Sequence, residues 1–252
     1  MTQRPRPLVA GNWKMNGLRD SLGEVSSICA AVARGGAGTA EIVICPPATL
    51  LMAAAAISEG SPVALGGQDC HNEPSGPYTG DISAEMLRDA GAAYVIVGHS
   101  ERRSGYNEGN ASVHEKAAAA FRAGLTAIVC VGETKAEREA GDALTVVGSQ
   151  LAGSIPKISS AETIVIAYEP VWAIGSGLTP APQDIADMHG FIRGRANQHL
   201  PGQGAQLRIL YGGSVKPTNA AQLLGIKDVD GALVGGASLS SAEFMAIARI
   251  YR

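Results

Sequence analysis

Eight short runs of apolar, largely β-branched residues recur along this chain, and a longer, often alanine-rich stretch follows each. The runs are Leu8–Trp13, Glu41–Cys45, Val63–Gly66, Tyr94–Val97, Ala127–Val131, Thr163–Ala167, Leu207–Leu210 and Gly231–Val234. Most lack the polar alternation of a strand with one wet face, so they predict strands covered on both faces. Between them the spacing predicts helices near 18–34, 48–57, 81–90, 108–123, 135–153, 182–199, 217–224 and 240–250. Several open with capping chemistry: Ser83 ahead of Met86 and Leu87, Asp184 after Pro182, and Ser240–Ser241 before Glu243. Strand–helix units in series favour the α/β class, with a parallel sheet and helices outside it. Eight such units can close into a (β/α)8 barrel, which leaves no edge strand to protect. An open doubly wound sheet is the alternative, but no G-x-G-x-x-G follows the first run. No charge run, Pro-rich linker or shift of composition divides the chain, so residues 1–252 read as a single barrel domain.

Composition narrows the partners. Hydrophobic residues make up 46% of the chain and charged residues 17%, enough to bury a substantial core. The net charge is −3 and lysines and arginines do not cluster, which argues against nucleic acid or an anionic membrane as the main partner. Affinity for an anion must then be built locally. The start, MTQRPRPLVAGNWK, lacks the apolar core of a signal peptide, and no apolar run reaches membrane length. Cys29, Cys45, Cys70 and Cys130 are scattered, as expected of small buried hydrophobes in a reducing compartment. The expectation is a cytoplasmic protein.

The residues able to do chemistry fall just after the predicted strands. Asn12 and Lys14 follow the first, His99, Ser100 and Glu101 the fourth, Glu169 the sixth, Ser214 the seventh, and Gly235 and Gly236 the eighth. In a closed parallel barrel those ends share one rim, so the residues would converge. A lone lysine at a strand end is ordinarily a solvated one, but no residue beside Lys14 in sequence carries a negative charge to neutralise it. On a rim it would suit an anionic substrate. His99 could be a core histidine satisfied where its strand ends. Against that, the residues after it can start a helical turn whose N–H groups would disfavour an imidazolium. Glu101 and Arg102 are expected in ion pairs. Gly175–Gly177, Gly212–Ser214 and Gly235–Gly236 could each be a tight connection, yet three on one rim fit a phosphate site made of backbone N–H groups. Glu169, then Pro170, an apolar run through Ile174 and Gly175-Ser176-Gly177, pairs a carboxylate with a loop able to fold over it. No metal ligands are well spaced, since Cys70 and His71 lack partners.

GNWKMN (11–16), QDCHNEPSGPYTGDIS (68–83), VGHSERR (97–103), IVCVGE (128–133), AYEPVWAIGSGLTP (167–180), LYGGSVKP (210–217) and DGALVGGASL (230–239) resemble, in order, the motifs of the triosephosphate isomerase family. The resemblance runs from Leu8 to about Phe244 and implies a TIM barrel and an isomerase of glycolysis and gluconeogenesis. It would interconvert dihydroxyacetone phosphate and D-glyceraldehyde 3-phosphate through an enediolate, with no cofactor. It implies Glu169 as general base, His99 as the neutral group polarising the carbonyl, and Lys14 stabilising substrate and enediolate, with Asn12 positioning both. Main-chain N–H groups of Gly175, Ser214, Gly235 and Gly236 would hold the phosphate, and residues 170–180 would close as a lid. Ser100 and Glu101 would support the site. The 72–83 loop would enter the partner of a homodimer, with Thr79 reaching Asn12 and His99 there.

Departures from the family pattern are Ser176, Leu178-Thr179-Pro180 and Gly105-Tyr106-Asn107. They bear on the lid's motion and on the turn after the histidine motif rather than on the chemistry. Three other readings stay open at this point. One is an aldose–ketose isomerase for a four-carbon sugar phosphate. A Schiff-base aldolase is disfavoured because the sixth run ends in Glu169 with no lysine after it. A non-catalytic phosphosugar-binding protein would be expected to lack at least one of Lys14, His99 and Glu169.

Overall fold

The computed structural model describes residues 4–157, 159–174 and 180–252. Eight parallel strands close into a barrel in sequence order: β1 (Leu8–Asn12), β2 (Glu41–Cys45), β3 (Ala64–Gly67), β4 (Tyr94–Val97), β5 (Thr126–Val131), β6 (Ile164–Tyr168), β7 (Arg208–Tyr211) and β8 (Gly231–Val234). Leu8 pairs with Glu41 on one side and Gly231 on the other, which seals the ring. The open doubly wound alternative is thereby excluded. The strands are buried along nearly their whole length, as continuous apolar runs require.

Alternation splits the strand residues between two cores. Leu8, Ala10, Val43, Ile96, Ile128, Cys130, Val165, Ala167, Leu210 and Leu233 fill the barrel interior. Val9, Ile42, Ile44, Val95, Val97, Val129 and Ile166 face outward onto the helices. At the amino-terminal end of the barrel, Tyr94 Oη donates to Glu41 at 2.6 Å and Arg208 donates to the same carboxylate at 2.6 Å. All four cysteines are free and buried, and burial pushes the Cys45 and Cys70 thiols up to about 12.

Among the described residues ten α-helices surround the strands: α1 (Leu22–Ala33), α2 (Ala48–Ser58), α3 (Ala84–Asp89), α4 (Ser100–Gly105), α5 (Asn110–Arg122), α6 (Lys135–Glu139), α7 (Ala143–Ser154), α8 (Pro182–His199), α9 (Ala220–Leu224) and α10 (Ser241–Ala248). The caps expected from sequence are made. Ser83 Oγ accepts from Met86 N, Asp184 from Ala181 N, and Ser240 Oγ from Glu243 N. The single helix expected over 135–153 is two, because Gly141 takes φ +82 and breaks it between α6 and α7. Helix α4 is longer than the turn expected after His99. Its far end carries the Gly105-Tyr106-Asn107 departure, where Asn107 takes φ +55 and the Tyr106 ring lies 4.4 Å from the Arg102 guanidinium.

Candidate active site

At the carboxyl end of the barrel a cavity of about 690 Å³ opens, and Asn12, Lys14, His99, Glu169, Ser214 and Gly235 are among its lining residues, with Gly236 beside them. Five strands supply them. Asn12, Glu169, Gly212 and Gly235 each lie two residues past an inward-facing strand residue, so alternation alone turns them toward the barrel axis. His99 does not follow that rule. Tyr94 and Ile96 point inward, so continued alternation would turn position 98 inward and position 99 away. Gly98 breaks the alternation with φ +67, a conformation that favours glycine, and His99 then reaches the cavity.

Helix α4 begins directly after His99, and the Nδ1 of the ring accepts a hydrogen bond from Glu101 N at 3.2 Å. A ring nitrogen that accepts carries no proton, so the tautomer has its hydrogen on Nε2. That Nε2 lies 2.9 Å from Glu169 Oε1. Both side chains are nearly inaccessible to solvent. The Glu169 carboxylate also accepts from Ser100 N at 3.0 Å and from Ser100 Oγ at 3.2 Å. Burial, the strongest single influence, pushes the Glu169 carboxyl up. The His99 ring and the two Ser100 donors together outweigh it and leave the carboxyl below its ordinary range.

Lys14 takes φ +55, and two contacts hold its backbone there: Lys14 N donates to Asn12 Oδ1 at 3.0 Å, and its carbonyl accepts from Gln68 Nε2 at 2.9 Å. The same Gln68 nitrogen donates to Cys45 O, so the turn is tied to β2. The lysine is not uncompensated, as its sequence neighbours suggested. Glu101, brought across from α4, accepts from Lys14 Nζ at 2.5 Å. Arg102 forms ion pairs with Asp69 and Glu108, as expected of that motif.

Gly235 precedes a short 3-10 turn, Gly236–Leu239, whose first two residues line the cavity; Ser214, exposed, lines it from the end of the adjacent β7. Gly175 and the next four residues of the expected lid lie outside the described residues. Before them, Val171–Ala173 form a single 3-10 turn, and Trp172 Nε1 donates to Glu133 at 2.9 Å. Thr79 is not among the cavity's lining residues; it is exposed on the 72–83 loop.

Two residues here went unassigned in the sequence. Glu133 is fully buried just after β5 and also accepts from Tyr168 Oη and Arg138. An acid two residues beyond an apolar strand, at the rim shared by the other polar groups, was its available signal. Gln68 gave none, because an amide's partners are settled only by folding.

A family model described as triosephosphate isomerase matches residues 7–251. The chain belongs to the triosephosphate isomerase family. It is 58% identical to the triosephosphate isomerase of Afipia carboxidovorans over 98% of each chain. It is 57% identical to that of Brucella abortus over 100% of this chain and 99% of the other. The crystal structure of triosephosphate isomerase from Bartonella henselae superposes with a TM-score of 0.92 at 50% identity, covering 98% of this chain and 99% of that one. Membership of the triosephosphate isomerase family makes the chain an isomerase built on a TIM barrel, and the competing aldolase and binding-protein readings are not favoured.

Proposed function

We propose that this rim interconverts dihydroxyacetone phosphate and D-glyceraldehyde 3-phosphate by moving one proton between adjacent carbons and another between the oxygens they carry. The observation that carries the reading is the buried pair of Glu169 and His99, 2.9 Å apart in a cavity that also holds Lys14. Glu169, kept ionised by its donors, takes the proton from the carbon beside the carbonyl. To do so it gives up Ser100 and His99, whose Nε2–H is then free to donate to the carbonyl oxygen. A carboxylate base beside a neutral imidazole is an arrangement for which this enzyme family is itself the standard illustration. Negative charge then grows on oxygen rather than carbon, and the Lys14 ammonium stabilises it. Glu169 returns the proton to the neighbouring carbon. His99, donating from Nε2 to the former carbonyl oxygen and taking the proton of the neighbouring hydroxyl in exchange, moves a proton between the two oxygens, so charge and atoms balance and the enzyme is unchanged. Asn12 holds the Lys14 turn by the bond described above. Backbone N–H groups of Ser214, Gly235 and Gly236 take the phosphate; Gly175 would join them. Glu101 and Ser100 are supporting groups, pairing with Lys14 and parking Glu169.

The working unit we propose is a homodimer. Met15, Leu18, Tyr78, Met86 and Tyr106 are large apolar side chains exposed on the single chain. Beside Met15 and Tyr106 lies a second cavity of about 400 Å³, also lined by Lys14, Gln68 and His71. The partner's 72–83 loop fits that description of an occupant, and would bring its Thr79 close to Lys14. Four free buried thiols suit a reducing compartment such as the cytoplasm. No helix among the described residues is long and apolar enough to cross a membrane.

A coupled assay on the purified protein tests the reaction, with the three-carbon pair and a four-carbon aldose phosphate supplied in parallel. Rapid turnover of the three-carbon pair is expected. Negligible turnover of it, or preference for the four-carbon sugar, overturns the assignment.

A further inference from the structure

Arg103, on α4, contacts no part of the proposed chemistry, yet it grips the backbone on both sides of His99. Its own N–H donates to the His99 carbonyl at 3.0 Å, and its Nε donates to the Gly98 carbonyl at 2.9 Å. Those carbonyls belong to the two peptide groups flanking the histidine Cα. The guanidinium is also packed against the turn that re-aims the ring. A Cβ at Gly98 would lie 3.1 Å from Arg103 Nη2 and under 3.0 Å from both methyls of Val113 (2.7 and 2.8 Å).

The terminal nitrogens of the guanidinium reach the neighbouring strand β5 and the helices α5 and α7. Arg103 Nη2 donates to Cys130 O at 3.2 Å and to Ser154 Oγ at 3.1 Å, and Nη1 donates to Asn110 Oδ1 at 2.9 Å. Cys130 lies on β5 and pairs with Ala167 of β6. The next carbonyl along, Val131 O, accepts from Glu169 N at 2.8 Å. One rigid fork therefore spans from the peptide before His99 to the strand that registers Glu169. Every acceptor it uses is a neutral oxygen, and among the described residues no carboxylate forms an ion pair with it. What arginine offers here is a fixed plane of donors rather than a partner for a carboxylate.

We propose that Arg103 is a positioning residue for the isomerisation: by clamping the Gly98–His99 turn against β5 it sets where the imidazole stands relative to Glu169. The inference rests on the roles proposed above for His99 and Glu169. Lysine would keep the charge and lose the fork, so the position calls for arginine specifically.

The test is steady-state kinetics of wild type, Arg103→Lys, Arg103→Gln, Ser154→Ala and Asn110→Ala, each shown by circular dichroism and sedimentation to be folded and in the wild-type assembly state. A small misplacement of a reacting group costs on the order of 100-fold, so kcat of both Arg103 variants should fall about 10- to 100-fold, with KM within about twofold. Ser154→Ala and Asn110→Ala remove one anchor each and should lower kcat less, again with KM held. A purely structural role would lower the melting temperature and leave kcat per folded molecule unmoved. Folded Arg103 variants with wild-type kcat, with a change confined to KM, or with full activity restored in the lysine variant all overturn the proposal. Should neither Arg103 variant fold, unchanged kcat in both anchor variants overturns it instead. A wild type without isomerase activity removes the roles of His99 and Glu169 and this inference with them, whereas an active wild type with unaffected variants removes this inference alone.

Discussion

Glu169 lies two residues beyond the inward-facing Ala167, so β6 aims it into the barrel mouth without help from any loop. What its neighbours add is control of charge. With the carboxyl held below its ordinary range despite burial, the ionised form favours folding above the unfolded value of about 4.5, and that contribution is lost as pH falls through the lower folded value. Glu169→Asp keeps the charge but withdraws the oxygen by one methylene from where the base must act. It should lower kcat by about 10²- to 10⁴-fold and leave KM, and so phosphate binding, nearly unchanged. Wild-type turnover in that variant would remove Glu169 from the role of base.

At the scale of elements, α8 shows how a helix facing the barrel can carry a titratable group inside the fold. His189 is fully buried on it, edge-on to Tyr168 with ring centroids 5.8 Å apart, and its Nδ1 lies 3.0 Å from Asp228 O. Burial pushes His189 down from 6.5 to about 4. The unfolded chain therefore takes up the proton first as the solution is acidified. Above pH 6.5 the histidine costs nothing; below it, stability is lost until the folded value is passed. Linkage makes the loss about 2 kcal/mol by pH 5 and about 3 kcal/mol below pH 4. His189→Gln should remove that component: urea unfolding at pH 7.5 and pH 5 should show a smaller drop for the variant. Equal drops would place the acid sensitivity elsewhere. The break between α6 and α7 belongs to this scale too, since one glycine in the left-handed region redirects what the periodicity reads as a continuous helix.

For the whole molecule the question is how the chain covers its exposed apolar side chains. Met15 is 97% exposed in the isolated subunit, on the segment that leads away from Lys14. A monomer would tolerate a charge there, because nothing would be desolvated. In the proposed dimer the same charge would be buried without a partner, at a cost of several kcal/mol. Met15→Glu should therefore shift sedimentation from dimer toward monomer and make activity depend on protein concentration, with little change in the subunit's circular dichroism. A wild type that sediments as a fully active monomer would refute the dimer.

Much of this protein is legible in its amino-acid order because its rules are local. Continuous apolar runs mark strands covered on both faces, eight of them can close a ring, and alternation along β1, β6 and β8 sends Asn12, Glu169 and Gly235 to the mouth. Capping residues marked α3, α8 and α10 for the same reason: the bond spans three residues. The rest depended on groups distant in sequence. Glu101 reaches Lys14 across 87 positions, and Gln68 holds the lysine's carbonyl across 54. His99 is a local exception that periodicity does not read: it enters the site against the alternation of its strand through the φ of the adjacent Gly98. Side-chain periodicity follows from backbone geometry, which the residues carry with them. A hydrogen-bond partner does not, since it is chosen only when separate elements have packed.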